Sequence, residues 1–283
     1  MKYLKTLFKL LAWLLVLALL GLLVVWLAQG MLMYPGRPLS GGGADFATRI
    51  QAVQNRGYAA VHIEAGDPKV RLRALWSPCK DQTSPALLWM HDRGSDITDT
   101  LSVLGPMQEL KFHVLALEYP GYGDAEGETT EAEVMARAAA AFSWLSSREE
   151  VAPRRVFVGG IEMGAAVALN LATRTEAAGV IAFATLPDME DGVREKLGGL
   201  PVGFLLRDRY SVEPALAGIT APVLFVHGDA DPVVPSWRID AMAGKVSLSK
   251  VLTIAGAGRA DLLSRMSKED WADVGSFVFE GPK

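Results

Sequence analysis

The sequence predicts an α/β protein in which a mostly parallel central sheet has helices on both faces and follows one membrane-spanning helix. Two observations support this fold class. Short apolar runs alternate with helical patterns over most of the chain, as in parallel sheets covered by helices. One unbroken apolar run lies near the N-terminus and contributes much of the mean hydropathy of +0.22. The 283 residues suffice for one large domain or two small ones.

The first predicted element is a membrane anchor over residues 10–28. This run contains no polar or charged side chain, and as a helix it would be about 28 Å long, close to the thickness of the bilayer hydrocarbon. Residues 1–9 contain Lys2, Lys5 and Lys9 and no acidic residue. Under the positive-inside rule this basic segment stays in the cytoplasm. The C-terminal domain is therefore predicted to be extracytoplasmic, in the periplasm if the source is bacterial.

Two alternatives compete with the anchor. The first is a cleaved signal peptide, for which Ala28-Gln29-Gly30 would be a weak cleavage site. The run is longer than a usual signal-peptide core, which favours an uncleaved anchor. The second is a buried core helix, which an apolar run without a polar face disfavours.

The remaining chain is predicted to fold as one domain, residues 44–283, after a linker over residues 29–43 that contains two prolines and three consecutive glycines. The predicted strands are Tyr58–Glu64, Val70–Trp76, Ala86–His91, His113–Glu118, Arg155–Gly159, Val180–Thr185, Val223–His227 and Lys250–Ile254. The predicted helices are Thr98–Leu110, Thr130–Ser147, Met163–Thr173, Ser236–Gly244 and Asp261–Phe279. The first two strands have no helix between them, which predicts an antiparallel start.

Residues 186–210 interrupt this alternation of strands and helices. The segment combines Gly198-Gly199 and Pro201 with an apolar run, Val202–Leu206, and then with charged residues. One interpretation is a small cap over a pocket. The alternative is an ordinary long connection between a strand and a helix.

A strand, a sharp turn and a helix follow one another around Glu162. The turn reads Gly160-Ile161-Glu162-Met163-Gly164, which has the spacing of the nucleophile elbow, although that motif has serine at its centre. Three further stretches occur in the order found in proteins that have this elbow. They are Tyr119-Pro120-Gly121-Tyr122-Gly123, the acidic loop that follows the strand at Val223, and Ala255–Asp261.

With these motifs, residues 31–283 resemble the α/β-hydrolase superfamily, in particular membrane-anchored serine hydrolases with esterase, thioesterase or lysophospholipase activity. The resemblance implies an elbow nucleophile, an acid and a histidine base, in that chain order. The corresponding positions here hold Glu162, Asp231 and Arg259. The acid is therefore retained, and the nucleophile and the base are replaced.

The resemblance also implies an oxyanion region, at Asp92, Arg93 and Met163. The family's His-Gly stretch reads His91-Asp92 here, and a carboxylate at that point opposes an oxyanion. Arginine stays protonated and cannot act as a general base. We therefore hypothesise an ion-paired triad, Glu162–Arg259–Asp231, since arginine can serve two carboxylates.

The leading functional hypothesis is a membrane-anchored, catalytically inactive pseudo-hydrolase that acts in binding, scaffolding or membrane-complex assembly, with a membrane or periplasmic protein as partner. The first alternative is an active hydrolase of ester, thioester or lipid substrates with non-standard residues. Its nucleophile would be Glu162, or Ser95 in the loop near the oxyanion region. The second alternative is a carrier that holds an apolar or acyl ligand in the old pocket.

Composition excludes several other classes. A single cysteine, Cys79, rules out an intramolecular disulfide framework and a cysteine-rich zinc site, and it is interpreted as an incidental thiol. Four histidines leave little scope for a metal site, so no metal or cofactor is predicted. A net charge of −4 without a long basic cluster argues against nucleic acid as a partner.

Overall fold

The computed structural model describes residues 2–36, 44–66, 69–81, 83–152, 154–196 and 203–280. Within them, one sheet of 8 strands has the order β1-β2-β4-β3-β5-β6-β7-β8. The strands are β1 (Ala59–Ala65), β2 (Val70–Ser77), β3 (Ala86–Met90), β4 (His113–Leu117), β5 (Val156–Ile161), β6 (Gly179–Phe183), β7 (Val223–Gly228) and β8 (Ser249–Ile254). All eight predicted strands are therefore confirmed, with ends that differ by only one or two residues.

The sheet has an antiparallel part at its start and a parallel part that is buried. β2 is antiparallel to both β1 and β4, which confirms the predicted antiparallel start, and the strands from β4 to β8 are parallel. The central strands β3, β4, β6 and β7 are buried at every position. Their near-continuous apolar sequences are those expected of parallel strands covered on both faces.

Helices cover both faces of the sheet. They are α1 (Lys2–Met33), α2 (Ala44–Gln54), α3 (Leu101–Glu109), α4 (Glu131–Ser146), α5 (Met163–Ala172), α6 (Met189–Lys196), α7 (Ser236–Ala243), α8 (Leu262–Arg265) and α9 (Lys268–Glu280). Side chains of α4, α5, α6 and α7 belong to one core layer, and those of α2, α3 and α9 to the other. This arrangement confirms the predicted α/β class.

Three details differ from the sequence prediction. α2 and α6 were not anticipated, and α6 lies inside the segment 186–210 that was interpreted as a cap. The helix predicted over Asp261–Phe279 is broken into α8 and α9. The break has a local cause: the Ser267 N–H donates to Asp270 Oδ2 (2.8 Å) and the Asp270 N–H donates to Ser267 Oγ (3.1 Å), a reciprocal cap that starts a new helix.

The N-terminal helix α1 is one continuous element of 32 residues. Its segment Tyr3–Met33 is long and apolar enough to cross a membrane, and its most apolar window is 0% buried in the protein. The helix continues past residue 28, and Met33 and Tyr34 at its end pack into the core. The predicted linker is thus helical over residues 29–33, and its part from 37 to 43 lies outside the described residues.

Close approach between β3, β5 and α5 requires glycine at Gly160 and Gly164. A Cβ at Gly164 would lie 2.1 Å from the carbonyl oxygen of Met90, and one at Gly160 would lie 2.4 Å from the carbonyl carbon of Gly164. Both contacts are with backbone, which cannot rotate away. The glycines therefore allow the first turn of α5 to sit directly against the end of β3.

This close packing gives a prediction about stability. Gly164→Ala should lower the free energy of unfolding by about 1–3 kcal/mol or more, because the added methyl group overpacks a backbone contact. Gly105→Ala in α3 is the matched control, since a Cβ there meets nothing within 4 Å. It should be neutral or stabilising by up to about 1 kcal/mol. Urea unfolding of both variants tests the pair, and equal effects would contradict the packing argument.

Candidate functional site

The sharp turn between β5 and α5 places Glu162 at the carboxyl edge of the sheet. Its backbone has φ +55° and ψ −112°, a conformation that non-glycine residues rarely adopt and that costs of order 1–3 kcal/mol. The Glu162 N–H donates to Phe183 O (3.0 Å), which fixes the turn to the neighbouring strand. A strained residue between a strand and a helix is the geometry of a nucleophile elbow.

The carboxylate of Glu162 lies between two arginines. Its Oε1 is 3.2 Å from Arg93 Nε and 3.6 Å from Arg259 Nε. Glu162 is only 8% exposed and Arg93 only 3%, so solvent screens these pairs weakly. One buried carboxylate thus faces two guanidinium groups.

Arg93 also connects the elbow to two other parts of the protein. Its Nη2 donates to Gly192 O in α6 (3.3 Å), and its Nη1 donates to Leu32 O near the end of α1 (3.5 Å). Its own carbonyl accepts hydrogen bonds from the Gly36 N–H (3.0 Å) and the Tyr122 hydroxyl (2.8 Å). A single side chain therefore holds the elbow, α6 and the C-terminal end of α1 together.

Asp231 occupies the loop after β7, at the same edge of the sheet. Its Oδ1 accepts hydrogen bonds from the N–H groups of Val233 (2.7 Å) and Val234 (3.0 Å). Its Oδ2 is buried, with no hydrogen-bond partner among the described residues. The Glu162–Arg259 pair of the hypothesised triad is therefore present, with Arg93 as a second arginine beside Glu162, while Oδ1 of Asp231 accepts its hydrogen bonds from backbone amides.

The oxyanion-region residues carry a carboxylate close to the elbow. Asp92 Oδ1 accepts from the Gly94 N–H (2.5 Å) and its Oδ2 accepts from Ser95 Oγ (3.0 Å). Met163 is fully buried and begins α5, and the first N–H groups of a helix have no partner within it. Asp92 and Glu162 therefore bring two carboxylates to the same edge of the sheet.

A buried pair, His91 and Glu118, supports this loop from behind. His91 Nε2 lies 2.9 Å from Glu118 Oε1, and its Nδ1 lies 2.7 Å from Asp92 O. Burial lowers the pKa of His91, but the hydrogen bond and charge of Glu118 outweigh it and raise the pKa above its ordinary 6.5. Burial also raises the pKa of Glu118 above its ordinary 4.5. The folded protein therefore binds protons here more tightly than the unfolded chain.

The remaining histidines make structural contacts elsewhere. His227 Nε2 lies 2.8 Å from Val234 O, His113 Nδ1 accepts from the Cys79 N–H (3.0 Å), and His62 lies on the edge strand β1. Among the described residues, the ion pairs of Glu162 are with arginines and not with any of these rings. Within the same residues, no group of acidic, cysteine or histidine side chains is arranged to hold a metal ion.

A cavity of about 350 Å³ opens in front of the elbow. Its lining combines charged side chains, among them Glu162, Arg259 and Asp92, with apolar ones such as Trp89 and Leu263. The full lining is Trp89, His91, Asp92, Ser95, Asp99, Thr100, Ser102, Val103, Ile161, Glu162, Arg259, Ala260 and Leu263. The cavity has the size and mixed character of a small-molecule site.

The sheet order, the strained elbow and the acidic loop after β7 define an α/β-hydrolase fold. Comparison with known proteins agrees: residues 122–253 match the dienelactone hydrolase family. The chain is a member of the α/β-hydrolase superfamily.

Sequence relatives include an uncharacterized protein of Mycobacterium tuberculosis, 28% identical over 63% of this chain and 64% of that protein. Alpha/beta hydrolase domain-containing protein 17C of Mus musculus is 26% identical over 68% of this chain and 59% of its own length. The matches thus span about three fifths of the length of these relatives. What the whole relatives do therefore does not transfer directly to this chain.

Solved structures share the fold at low sequence identity. The Pyrococcus furiosus esterase Pf2001 superposes with a TM-score of 0.68 at 18% identity, over 87% of this chain and 96% of that one. A membrane phospholipase A described as a bacterial virulence factor gives a TM-score of 0.60 at 18% identity, over 92% and 98%. Similarity at this level establishes the architecture alone.

The two-arginine clamp gives a prediction about stability. Arg93→Met should lower the free energy of unfolding by about 3–5 kcal/mol, because it removes a partner of a buried carboxylate. Arg209→Met is the matched control: Arg209 pairs with Asp188 and Glu190 but its side chain is 46% exposed, so its loss should cost about 1 kcal/mol or less. Adding Glu162→Gln to Arg93→Met should recover part of the loss. Equal losses in the single and double variants would contradict the clamp.

The raised pKa of His91 gives a prediction about pH. A folded-state pKa above the unfolded value contributes stability that is complete below about pH 6.5 and is lost as the pH rises through the folded value. The free energy of unfolding should therefore fall as the pH rises above about 6.5. In Glu118→Gln, burial opposes only the smaller contributions of Asp92 to the pKa of His91, so this fall should become smaller. Urea unfolding across the range tests it, and identical slopes in both proteins would contradict it.

Proposed function

We propose that this chain is a membrane-anchored, catalytically inactive α/β-hydrolase-like protein that acts in binding, scaffolding or membrane-complex assembly. The observation that carries the proposal is the Glu162 carboxylate at the strained elbow, 3.2 Å from Arg93 and 3.6 Å from Arg259. At the elbow of a serine hydrolase, this turn presents a hydroxyl to the substrate. Here it presents a charge that is already paired.

Three features of the site oppose acyl transfer. The carboxylate of Glu162 is occupied by guanidinium donors, which weakens it as a nucleophile. Arg259 lines the cavity in the direction from which a base would act, and arginine does not release its proton at working pH. Asp92 lies in the same cavity and adds negative charge where an oxyanion would need donors.

A second candidate function is hydrolysis with non-standard residues, which the retained cavity and the strained elbow favour. Glu162 would attack the acyl carbon of the substrate and expel its alcohol or thiol, which forms a mixed anhydride with the enzyme, and water would have to hydrolyse that anhydride to release the acid. Ser95 is the other candidate nucleophile, because its hydroxyl donates to Asp92 Oδ2 (3.0 Å) in the same cavity. Carriage of an apolar or acyl ligand is a third use of the same cavity, supported by its apolar lining residues.

Membrane attachment is proposed through residues 10–28, with residues 1–9 in the cytoplasm and the domain 44–283 outside it. Support comes from the exposure of α1: its most apolar window is 0% buried, so its apolar surface needs a nonaqueous environment. Trp13 and Trp26 lie near the two ends of the run and are 68% and 39% exposed, as is typical of residues at membrane–water interfaces. In this arrangement, residues 186–210 form a cap beside the anchor.

The full-length protein, purified in detergent, should show neither labelling by a fluorophosphonate probe nor turnover of short and medium p-nitrophenyl esters. An active serine hydrolase handled in parallel verifies the assay. Turnover that disappears in Glu162→Gln would overturn the inactive assignment in favour of carboxylate catalysis. Labelling that disappears in Ser95→Ala would overturn it in favour of the loop serine. Both variants change few atoms, and thermal unfolding checks that they remain folded.

A further inference from the structure

The outer end of α1 is fixed to the domain and is not a flexible tether. Gln29 is buried; its Nε2 donates to Trp26 O (2.7 Å) and its Oε1 accepts from the Arg207 N–H (2.9 Å). Tyr34, just after the helix, donates to Asp208 Oδ2 (2.9 Å) and lies 3.1 Å from the Tyr210 hydroxyl. The position of the domain relative to the helix axis is therefore set by the fold.

Helix length then determines where the bilayer must end. α1 has 32 residues, which corresponds to about 48 Å, whereas the hydrocarbon core is about 30 Å thick. If residues 10–28 fill that core, its outer boundary lies next to Gln29, where the domain begins. Met31, two residues past this boundary, is still 59% exposed. No spacer therefore separates the bilayer surface from the cap.

The turn Gly203–Leu205 in the cap contacts α1 at this boundary. Phe204 at the centre of the turn is 73% exposed. Arg207 is exposed, and its guanidinium carbon lies 3.8 Å from the ring centroid of Trp26. An isolated exposed phenylalanine is ordinary on a soluble surface. Here it stands beside an interfacial tryptophan and an arginine that could reach phosphate groups.

We propose that residues 203–207 form a second membrane contact, in which Phe204 enters the lipid interface beside α1 and Arg207 lies among the headgroups. The partner of this surface is phospholipid, because the surface continues directly from the apolar span of α1. The inference rests on the proposed membrane attachment. The second contact gives the domain a fixed orientation in which the cap faces the bilayer. The elbow then lies near the bilayer, since Arg93 contacts both Glu162 and Leu32.

Site-directed fluorescence on the full-length protein tests this contact. In a Cys79→Ser background, Phe204→Cys and Phe279→Cys are each labelled with an environment-sensitive dye and reconstituted into phosphatidylcholine vesicles containing some phosphatidylglycerol. Phe279 is the matched control because it is also exposed (51%) but stacks with Arg155, before β5, at the opposite edge of the sheet from the elbow. Both positions are exposed, and thermal unfolding checks that both variants remain folded, since Phe279 also packs against Phe112.

The expected result is a blue-shifted emission at position 204 that is quenched severalfold by nitroxide-labelled lipid acyl chains, with no quenching at position 279. A chain that incorporates into vesicles but shows equal, weak quenching at both positions would overturn the second contact and leave the anchor intact. A chain that stays in the soluble fraction when detergent is removed would overturn the proposed attachment itself, and the second contact with it. The two failures are thus distinguishable.

Discussion

The buried carboxylate of Glu162 is the constraint on which the rest of the site depends. A charge that is 8% exposed needs compensating partners, because an unpaired buried ion costs several kcal/mol. Arg93 and Arg259 supply that compensation, and each arrives from a different loop at the carboxyl edge of the sheet. The requirement to neutralise one side chain thereby fixes the loop after β3, the loop after β8 and the elbow relative to one another.

Arg93 extends this constraint beyond the site. The same guanidinium that pairs with Glu162 donates to backbone carbonyls of Gly192 in α6 and Leu32 in α1. Five donors in one planar group make such sharing feasible for arginine and not for lysine. A change in the charge at the elbow would therefore alter the contacts of α6 and of the C-terminal end of α1. One arginine side chain connects these three parts of the protein.

The sequence predicts the strands well, because buried parallel strands read as short apolar runs between turn residues. It also places Glu162 at the elbow, since glycine spacing reports the close approach of α5 to β3. It does not predict the role of Arg93. The loop His91–Gly94 shows an arginine, but which way that side chain turns depends on the positions of α1 and α6, and α6 was not recognised. The helical continuation of α1 was missed because Pro35 and Pro38 suggested an earlier break.

The backbone of the elbow is strained although the residue at its centre, Glu162, has no hydroxyl group. Holding Glu162 at φ +55° costs of order 1–3 kcal/mol, which the surrounding packing must offset. In a serine hydrolase the same backbone conformation directs a nucleophile into the site. Here it directs a carboxylate toward Arg93, which also contacts α6 and α1, and toward Arg259, which lines the cavity. No single substitution restores the hydrolase arrangement, because a serine at position 162 would leave Arg93 and Arg259 facing each other without their shared anion. The charges at the elbow therefore depend on one another: the backbone positions the carboxylate, and the two arginines balance its charge.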